Sequence, residues 1–491
     1  MESDDCDVVV VGGGPAGAAA AARLAGRGFR TVLIDRASFP RDKVCGDFVG
    51  PMALAELAEL GVAQTEAFAA TSTMAQLALH IDADQPAVMS IPTVDGIPGY
   101  GRVIPRLQLD AWIQDAARRA GATVLDGRKA EAVERAPDGI AVRGRGAAGP
   151  WQLRARLLLG ADGSNSMVAR TLRGGVPPSQ DRILAVRAYF DDVEGADGRG
   201  DIWFRGDTFP GYHWLFPTAG ASANLGVGML TSTYPQSGRN LREMLLRLIA
   251  EDASVRHRLR GARMRGRVLG HPLTTYNPRL PLIGDRMMLL GDAAGLINPL
   301  NGEGIQYALH SARWAAGIAA DRLASDQLDA GSLEGYQRRV HQSLGADLAL
   351  SRLIVQLIRN RNLNHVWLGA LRSIASRAKT DPAYAHHLGC VLTGLTPDVS
   401  TLGTGAAARI FGQALVPPLA EASWHRLTGH GRPARLAPVG LGDTAGHGAA
   451  PGEFMNWAAG TGRVLGEFSL QLTRAAITRN NAAGRRVRVL E

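Results

Sequence analysis

Cysteine is scarce in this chain of 491 residues, which contains three. Cys6, Cys45 and Cys390 are odd in number, far apart and without the spacing of metal ligands. This pattern excludes a disulfide framework and a zinc site, and it is typical of a protein from a reducing compartment. We therefore expect no bound metal ion.

Lysine is also scarce: it occurs at 43, 129 and 379, which leaves 51 arginines among the 54 basic residues. The net charge of +9 is spread along the chain, with denser arginine segments at 256–267 and 484–489. Aromatic residues do not alternate with these arginines, so we expect no nucleic-acid partner. Solvated surface is the favoured interpretation of both segments, and contact with an acidic partner or a phosphate stays open.

Long apolar runs are lacking, because Gly or Arg interrupts each one well before the roughly 18 residues that a membrane-spanning helix needs. The acidic start, MESDDCD, leads directly into a strand and does not resemble a signal peptide. We expect a cytoplasmic protein without a transmembrane segment, with attachment to a membrane surface as an alternative. The length predicts two or three domains.

The first forty residues predict a strand, a tight turn, a helix and a second strand. A run of valines is followed by Gly12, Gly14 and Gly17 in the spacing G-x-G-x-x-G. The first glycine permits the turn, the second lets the backbone approach a pyrophosphate, and the third lets the helix pack on the strand. The helix from Pro15 directs free N–H groups at the phosphate. Asp35, at the end of the second strand, suits a ribose hydroxyl, so a dinucleotide site is predicted.

The same glycine spacing recurs at 144, 146 and 149. These glycines lie between two strand-like segments, GIAVR and WQLRARLLLG, and no helical pattern follows them. A dinucleotide turn needs that helix. The second match therefore predicts a hairpin turn.

Two later segments have the composition of a strand followed by a turn and a helix. Asp162 lies in such a turn within LLLGADGSNSMVARTL, and Asp292 lies in another within MMLLGDAAGLINPLNGEGIQYAL. The helix that begins near Gly302 and Gly304 can point its N-terminus at an electron-rich ring. Asp292 can bind a ribityl hydroxyl or a group near the phosphate. Taken singly, each segment is equally consistent with ordinary turn chemistry.

Together the three motifs resemble the FAD-dependent oxidoreductases of the aromatic-hydroxylase type, over about residues 5–330. The resemblance implies that the fingerprint glycines contact the FAD pyrophosphate, that Asp35 binds the adenosine ribose, and that residues 302–305 lie near the isoalloxazine. An arginine fork suits a phosphate, and Arg106 fits the family's arginine. The cofactor-binding residues that the resemblance implies are Gly12, Gly14, Pro15, Ala16, Gly17, Asp35, Arg36, Lys43, Cys45, Gly46, Arg106, Val133, Asp162, Asp292, Pro299, Gly302, Gly304 and Ile305.

Two further segments indicate a branch of this family. PGYHWLFP (210–217) and KVCGD (43–47) look like the geranylgeranyl reductase branch, whose members reduce isolated double bonds of isoprenoid chains with FADH2. A core β-hairpin is the alternative interpretation of the aromatic segment. Related halogenases carry W-x-W-x-I-P and an active-site lysine, whereas this chain has no lysine between 44 and 128. The resemblance implies Cys45, Tyr212 and Trp214 as catalytic residues.

Cys45 follows the second predicted strand, at the sheet edge where ligands bind in such folds. We expect its loop to pass beneath the flavin ring, with Gly46 permitting close approach of the backbone. In the reductases that this chain resembles, the matching cysteine takes part in protonation. We expect Lys43 and nearby helix N-termini to lower the pKa of the thiol. A space-filling cysteine in a tight loop is the alternative.

The predicted fold class is α/β, with a Rossmann-type FAD-binding domain, an inserted and mostly antiparallel substrate sheet, and a helical C-terminal region. The expected FAD-binding segments are 1–73, 101–177 and 274–330. The expected substrate-domain segments are 74–100 and 178–273. Residues 331–491 are expected to be helical, with a Gly/Pro/Ala-rich linker at 428–452 and an extension after about 430 that the family lacks.

The predicted function is FAD-dependent reduction of a double bond in a large apolar polyene, isoprenoid or polyketide-like substrate. Two alternatives stay open: a flavin monooxygenase, and an FAD-containing non-redox cyclase of a polyketide pathway. The sequence carries no second nicotinamide-binding unit, so electrons would come from a transient NAD(P)H or from a separate reductase. The sequence leaves the oligomeric state undetermined.

Overall fold

A computed structural model describes residues 4–395, apart from 83, 95, 137, 177–180, 196 and 235–239, together with 459–463 and 466. The predicted linker at 428–452, almost all of the C-terminal extension and the arginine segment at 484–489 therefore lie outside the described residues. The predicted α/β fold class is confirmed, with three sheets and twelve α-helices in the described part of the chain.

The first sheet carries the dinucleotide motif. Its strands are β1 (Asp4–Val11), β2 (Thr31–Ile34), β8 (Thr123–Leu125), β9 (Lys129–Ala136), β10 (Gly139–Gly146), β11 (Gly149–Gly160), β17 (Ile283–Gly284) and β18 (Met287–Leu289). The order is β17-β18-β11-β1-β2-β8, and β9 and β10 continue from β11 as an antiparallel meander. Strands β18, β11, β1, β2 and β8 are parallel, so their carboxyl ends share one edge.

Helices of small residues cover this sheet. They include α1 (Pro15–Ala25), α4 (Arg106–Arg119) and α9 (Ile305–Ala324), and α1 contacts both of the others. Alanines 18–21 of α1 are fully buried, which lets the helix axes come close together. The second glycine match is the predicted hairpin turn, because Gly146 pairs with Gly149 between β10 and β11.

The second sheet is mostly antiparallel, as predicted. Its strands are β5 (Gln76–Ile81), β6 (Ala87–Ser90), β12 (Arg182–Asp191), β13 (Arg199–Phe204), β14 (Tyr212–Thr218), β15 (Ser222–Leu230) and β16 (Arg263–Thr274). They are ordered β16-β12-β15-β14-β13-β5-β6, and only β13 and β5 pair in parallel. A small third sheet joins β3 (Phe48–Val49), β7 (Gly101–Val103) and β4 (Ser72–Met74).

The remaining helices connect or cover these sheets. They are α2 (Pro51–Glu59), α3 (Glu66–Ala69), α5 (Met167–Arg173), α6 (Leu241–Glu251), α7 (Ala253–Arg258), α8 (Gly291–Ala294), α10 (Ala330–Ile358), α11 (Asn364–Thr380) and α12 (Pro382–Thr393). Helices α11 and α12 contact β6 of the second sheet, and α11 also contacts β5. Within the described residues, no helix combines the length and the apolar character needed to cross a bilayer.

Candidate active site

The glycine fingerprint forms a tight turn between β1 and α1. Gly12 has φ +107°, a conformation that favours glycine, and a Cβ there would collide with the Ala161 carbonyl of β11's continuation. A Cβ at Gly17 would collide with the Gly12 carbonyl, which explains the third glycine of the spacing. Helix α1 begins at Pro15 and directs its first N–H groups into this turn.

Asp35 joins the fingerprint turn after β1 to the loop after β2. Its Oδ2 accepts a hydrogen bond of 2.7 Å from the Gly13 N–H, and its Oδ1 accepts one of 2.8 Å from the Ala37 N–H. Each carboxylate oxygen can accept a second hydrogen bond. The residue therefore fits the role expected for it, a hydrogen bond from a ribose hydroxyl.

Two arginines lie at the fingerprint turn. Arg106 donates bidentate hydrogen bonds of 2.7 and 2.8 Å to Asp110, and Arg41 Nη1 lies 2.9 Å from the same carboxylate without hydrogen-bond alignment. A Cβ at Gly14 would lie 3.5 Å from Arg41 Nη2 and 3.9 Å from Arg106 Nη2. Both guanidinium groups therefore flank the place expected for a pyrophosphate. Sequence analysis missed Arg41, because no pattern indicated that the loop after β2 folds back onto α4.

Lys43 and Asp292 form an ion pair between two loops, with 2.8 Å from Nζ to Oδ2. Burial alone would raise the pKa of Asp292, but the charge and hydrogen bond of Lys43 outweigh it and lower the pKa. Asp292 is therefore an anion at neutral pH, paired with the Lys43 ammonium group. The two side chains offer a cation and an anion to the hydroxyl and phosphate groups of a dinucleotide.

The N-terminus of α9 forms one end of the cavity. Gly302 has φ +71°, and the Glu303 carboxylate accepts a hydrogen bond of 3.1 Å from the Gln306 N–H. Burial raises the pKa of Glu303 to about 7, against the lowering effect of these backbone hydrogen bonds. Sequence analysis named the glycines here and missed Glu303, although an acidic residue inside a predicted ring-binding turn is itself a signal.

The aromatic segment is strand β14, and its alternate side chains Tyr212, Trp214 and Phe216 all line the cavity. The Tyr212 hydroxyl donates a hydrogen bond to the Asn301 carbonyl, next to the α9 turn. A Cβ at Gly46 would lie 3.3 Å from both Trp214 Nε1 and Phe216 Cε2. The strand is thus part of a β-hairpin and also contacts the two loops predicted to hold the flavin.

Cys45 lies in the cavity wall between Lys43 and Gly46. Burial raises the pKa of its thiol, and the charges of Arg106 and Lys43 do not outweigh this effect. The prediction that Lys43 lowers the thiol pKa is therefore wrong in its net outcome, because desolvation disfavours the thiolate. The thiol keeps its proton at neutral pH, which suits a proton donor better than a nucleophile.

One continuous cavity of about 680 Å³ extends from the fingerprint turn to the C-terminal helices. Lys43, Arg106 and Asp292 line its fingerprint end, and a second polar group lines it where α11 meets α12: Arg377, Asp381 and His387. Most of the remaining wall is aliphatic or aromatic and comes from the second sheet and from α10, α11 and α12. Examples are Leu77, Ile202, Phe204, Ile354, Leu371 and Leu388.

The cavity brings together twelve of the residues predicted from the sequence: Pro15, Lys43, Cys45, Gly46, Arg106, Tyr212, Trp214, Asp292, Pro299, Gly302, Gly304 and Ile305. Gly12, Gly14, Ala16, Gly17 and Asp35 build the turn behind it. Asp162 accepts a hydrogen bond of 2.7 Å from Met167 N–H of α5. Arg36 is exposed after β2, and Val133 pairs with Val142 within the meander.

The FAD binding domain family matches residues 5–337. The chain belongs to this family. It is 35% identical to a menaquinone reductase of Mycobacterium tuberculosis over 334 residues, which cover 65% of this chain and 78% of the relative. It is 29% identical to digeranylgeranylglycerophospholipid reductase 2 of Methanopyrus kandleri, over 69% of this chain and 83% of the relative.

A solved structure has the same fold. It is that of a geranylgeranyl bacteriochlorophyll reductase-like protein of Thermoplasma acidophilum, with a TM-score of 0.64 and 21% identity, covering 86% of this chain and 99% of that one. The family match and the two relatives make the chain an FAD-dependent oxidoreductase of the geranylgeranyl reductase and menaquinone reductase type. The residues present fit FAD, since the open glycine turn, Asp35 and the two arginines match its pyrophosphate and ribose.

Proposed function

We propose that this protein reduces an isolated carbon–carbon double bond in the polyprenyl chain of a lipid or an isoprenoid quinone. The observation that carries this proposal is a cavity that adjoins the dinucleotide turn and whose wall along the second sheet and the C-terminal helices is mostly aliphatic or aromatic. Burial of a polyprenyl chain along such a wall is favourable by about 25 cal/mol for each Å² of apolar surface removed from water. The names of the relatives, a menaquinone reductase and a digeranylgeranylglycerophospholipid reductase, favour the same class of substrate.

The chain's own residues would hold the substrate and supply a proton. Reduced FAD, when bound, would supply the hydride for one alkene carbon, and we assign the proton for the other carbon to the Cys45 thiol. Tyr212 and Trp214 would form the aromatic wall against which the double bond lies. The apolar surroundings exclude water, which protects reduced flavin from side reactions.

The proposed reaction needs an electron donor, and the two candidates are transient NAD(P)H and a separate reductase. The described residues contain one parallel dinucleotide-binding unit, built on β1 and β2. Reduction of the bound flavin by NADH or NADPH alone, followed at its absorbance band, distinguishes the candidates. If neither nicotinamide reduces the flavin, a separate reductase is required.

The proposed reaction can be tested with the purified protein and a chemically defined substrate. FAD-bound protein is reduced anaerobically with dithionite and mixed with a menaquinone or with a geranylgeranylated lipid. Mass spectrometry of the extracted product then looks for the gain of two hydrogen atoms. The gain of one oxygen atom in air would instead establish oxygenation, and an isomeric cyclic product without reductant would establish the non-redox cyclase.

A cavity variant tests whether the apolar wall selects the substrate. Ala370 of α11 lines the cavity and is buried, so Ala370→Phe shortens the space available to a long chain. We expect kcat/KM for a long polyprenyl substrate to fall about tenfold, while that for a short geranyl substrate changes less than about twofold. The matched control is Ala67→Phe on α3, where the alanine is exposed. Equal losses on both substrates would refute size selection by this wall.

A further inference from the structure

A buried carboxyl group lies directly beyond Cys45. Asp47 is fully buried and has φ +64°, a left-handed conformation that aspartate adopts more often than most residues other than glycine. Its Oδ2 accepts a hydrogen bond of 2.6 Å from the Tyr189 hydroxyl and one of 2.7 Å from Asn224 Nδ2. Strained backbone of this kind concentrates at functional sites, where the surrounding structure holds it in place.

Asn224 couples Asp47 to the proposed catalytic residues. The same Nδ2 that binds Asp47 also donates a hydrogen bond of 2.7 Å to the Cys45 carbonyl. Asn224 Oδ1 accepts a hydrogen bond of 2.9 Å from Trp214 Nε1, and Asn224 is fully buried. One amide therefore fixes the aromatic strand, the cysteine loop and the carboxyl group relative to one another.

The second oxygen of Asp47 is unusual. Asp47 Oδ1 is buried and has no hydrogen-bond partner among the described residues, while Asp47 itself lines the cavity. Buried carboxyl oxygens are normally satisfied, so an exception at a cavity wall needs a reason. An oxygen that takes up and releases a proton during a reaction provides such a reason.

We propose that Asp47 returns a proton to Cys45 during turnover. This inference rests on the proposed double-bond reduction. The alkene gains a hydride from reduced FAD at one carbon and the Cys45 proton at the other, so the S–H bond breaks and a thiolate remains. The Asp47 carboxyl then transfers its proton to Sγ, and its carboxylate takes a proton from solvent when the product leaves. The substrate gains two electrons, the flavin loses two, and both side chains end unchanged.

The charges around the pair agree with this direction of transfer. Burial raises the pKa of Asp47 to about 6, although the hydrogen bonds from Tyr189 and Asn224 and the charges of Arg187 and Arg106 lower it. Burial also raises the pKa of Cys45 above its ordinary value of 9.0. A carboxyl group that is the stronger acid gives its proton to the thiolate spontaneously.

The groups that face this pair come from three elements and two loops. They are Lys43 in the same loop, Arg106 on α4, Arg187 and Tyr189 on β12, Tyr212 on β14 and Glu303 before α9. Arg187 lies 4.2 Å above the Tyr189 ring and pairs with Asp42, so its charge is largely compensated. Tyr189 has a pKa raised by burial and by Asp47, and it remains a hydrogen-bond donor at neutral pH.

A thiol titration tests the coupling without any turnover. FAD-bound protein is alkylated with iodoacetamide across a pH series, and mass spectrometry quantifies the peptide that contains Cys45. Because the Asp47 charge raises the thiol pKa, Asp47→Asn is expected to shift the alkylation midpoint down by about one pH unit. The control is Asp192→Asn, which removes an exposed carboxylate paired with Arg263. Identical midpoints in wild type and Asp47→Asn would overturn the proposal.

The pH profile of turnover provides the second test. The proposed proton transfer from Asp47 to Cys45 (the relay) needs a protonated Asp47. Wild-type kcat is therefore expected to decline as the pH rises through about 6. Asp47→Asn is expected to lower kcat about tenfold and to remove this decline, and Asp47→Glu to restore it. Tyr189→Phe removes a hydrogen bond that lowers the Asp47 pKa, so it should move the decline to higher pH.

These outcomes separate the two proposals. If wild type turns over no polyprenyl substrate, the proposed function fails, and the alkylation midpoint still decides whether Asp47 controls Cys45. If wild type is active but Tyr189→Phe leaves the pH decline in place, the relay is refuted. That variant decides the matter even if Asp47→Asn does not fold, because it keeps the carboxyl group and the apolar ring.

Discussion

Lys43 Nζ lies 2.8 Å from Asp292 Oδ2, and this pair joins the loop after β2 to the turn that begins α8. The two residues are far apart in the sequence, yet both line the fingerprint end of the cavity. The pair therefore links these two segments at the edge of the sheet where the dinucleotide is expected to bind.

Removing the cation from this pair should weaken cofactor binding. Lys43→Met leaves Asp292 partly buried without its partner, so we expect the dissociation constant of FAD to rise at least about tenfold, or roughly 1.4 kcal/mol. Titration of the apoprotein with FAD, followed by quenching of flavin fluorescence, measures the change. Lys129→Met is the matched control, because Lys129 pairs with Glu131 at an exposed position. Equal affinities in the two variants would contradict the assigned role of Lys43.

The third fingerprint glycine should tolerate no side chain. A Cβ at Gly17 collides with the Gly12 carbonyl, so Gly17→Ala is expected to lose FAD and to lower the free energy of unfolding by about 1–3 kcal/mol. Gly317→Ala is the control, since Gly317 lies in α9 with open space around it. That change should raise the free energy of unfolding by about 0.5–1 kcal/mol. Urea denaturation measures both changes. A stable, FAD-replete Gly17→Ala protein would show that the turn has room for a Cβ at this position.

Glu303 should make stability depend on pH. Its raised pKa means that the folded protein favours the neutral carboxyl group. This contribution is present below about pH 4.5 and is lost as the pH rises towards 7. Glu303→Gln mimics the neutral form, so we expect it to exceed wild type by about 1–3 kcal/mol near pH 8 and to match it near pH 4.

Urea denaturation at the two pH values measures this difference. Glu334→Gln, at an exposed carboxylate of α10, controls for the general loss of a negative charge. A Glu303→Gln protein that is no more stable than wild type near pH 8 would show that the carboxyl group is not destabilised by burial.

Cys45 should be dispensable for cofactor binding and necessary for turnover. In Cys45→Ser and Cys45→Ala we expect FAD content to stay the same and kcat on a polyprenyl substrate to fall at least about tenfold, roughly 1.4 kcal/mol of barrier. Bound FAD is measured by absorbance and turnover by product mass. Cys390→Ala, at a buried cysteine of α12, controls for loss of a thiol elsewhere. Normal turnover in both Cys45 variants would make this residue a packing cysteine.

Local patterns in the sequence were sufficient for much of the site. Gly12 and Gly17 fit the predicted turn because Gly12 has a positive φ and a Cβ at Gly17 would collide with the Gly12 carbonyl, and both requirements act within a few residues. The hairpin at Gly146 and Gly149 followed from the lack of a helical pattern after it. These features are short-range, so they can be recognised without knowledge of the fold.

Long-range contacts could not be predicted in this way. Arg41 reaches Asp110 of α4 only because the loop after β2 folds back, and Asp47 meets Tyr189 and Asn224 only because the second sheet packs against that loop. The expected low pKa of Cys45 failed for the same reason. Lys43 is its neighbour in sequence, but the burial that outweighs Lys43 arises from residues far along the chain.

The sequence by itself therefore determined the dinucleotide turn, the family and the cysteine that faces the cavity, because each depends on residue types at fixed short spacing. The tertiary structure decided that the C-terminal helices complete the apolar wall, that the cysteine is protonated, and that a strained aspartate lies beside it. The physical reason is that burial and electrostatic environment are set by every element packed around a group. Most of those elements are distant from it in the chain.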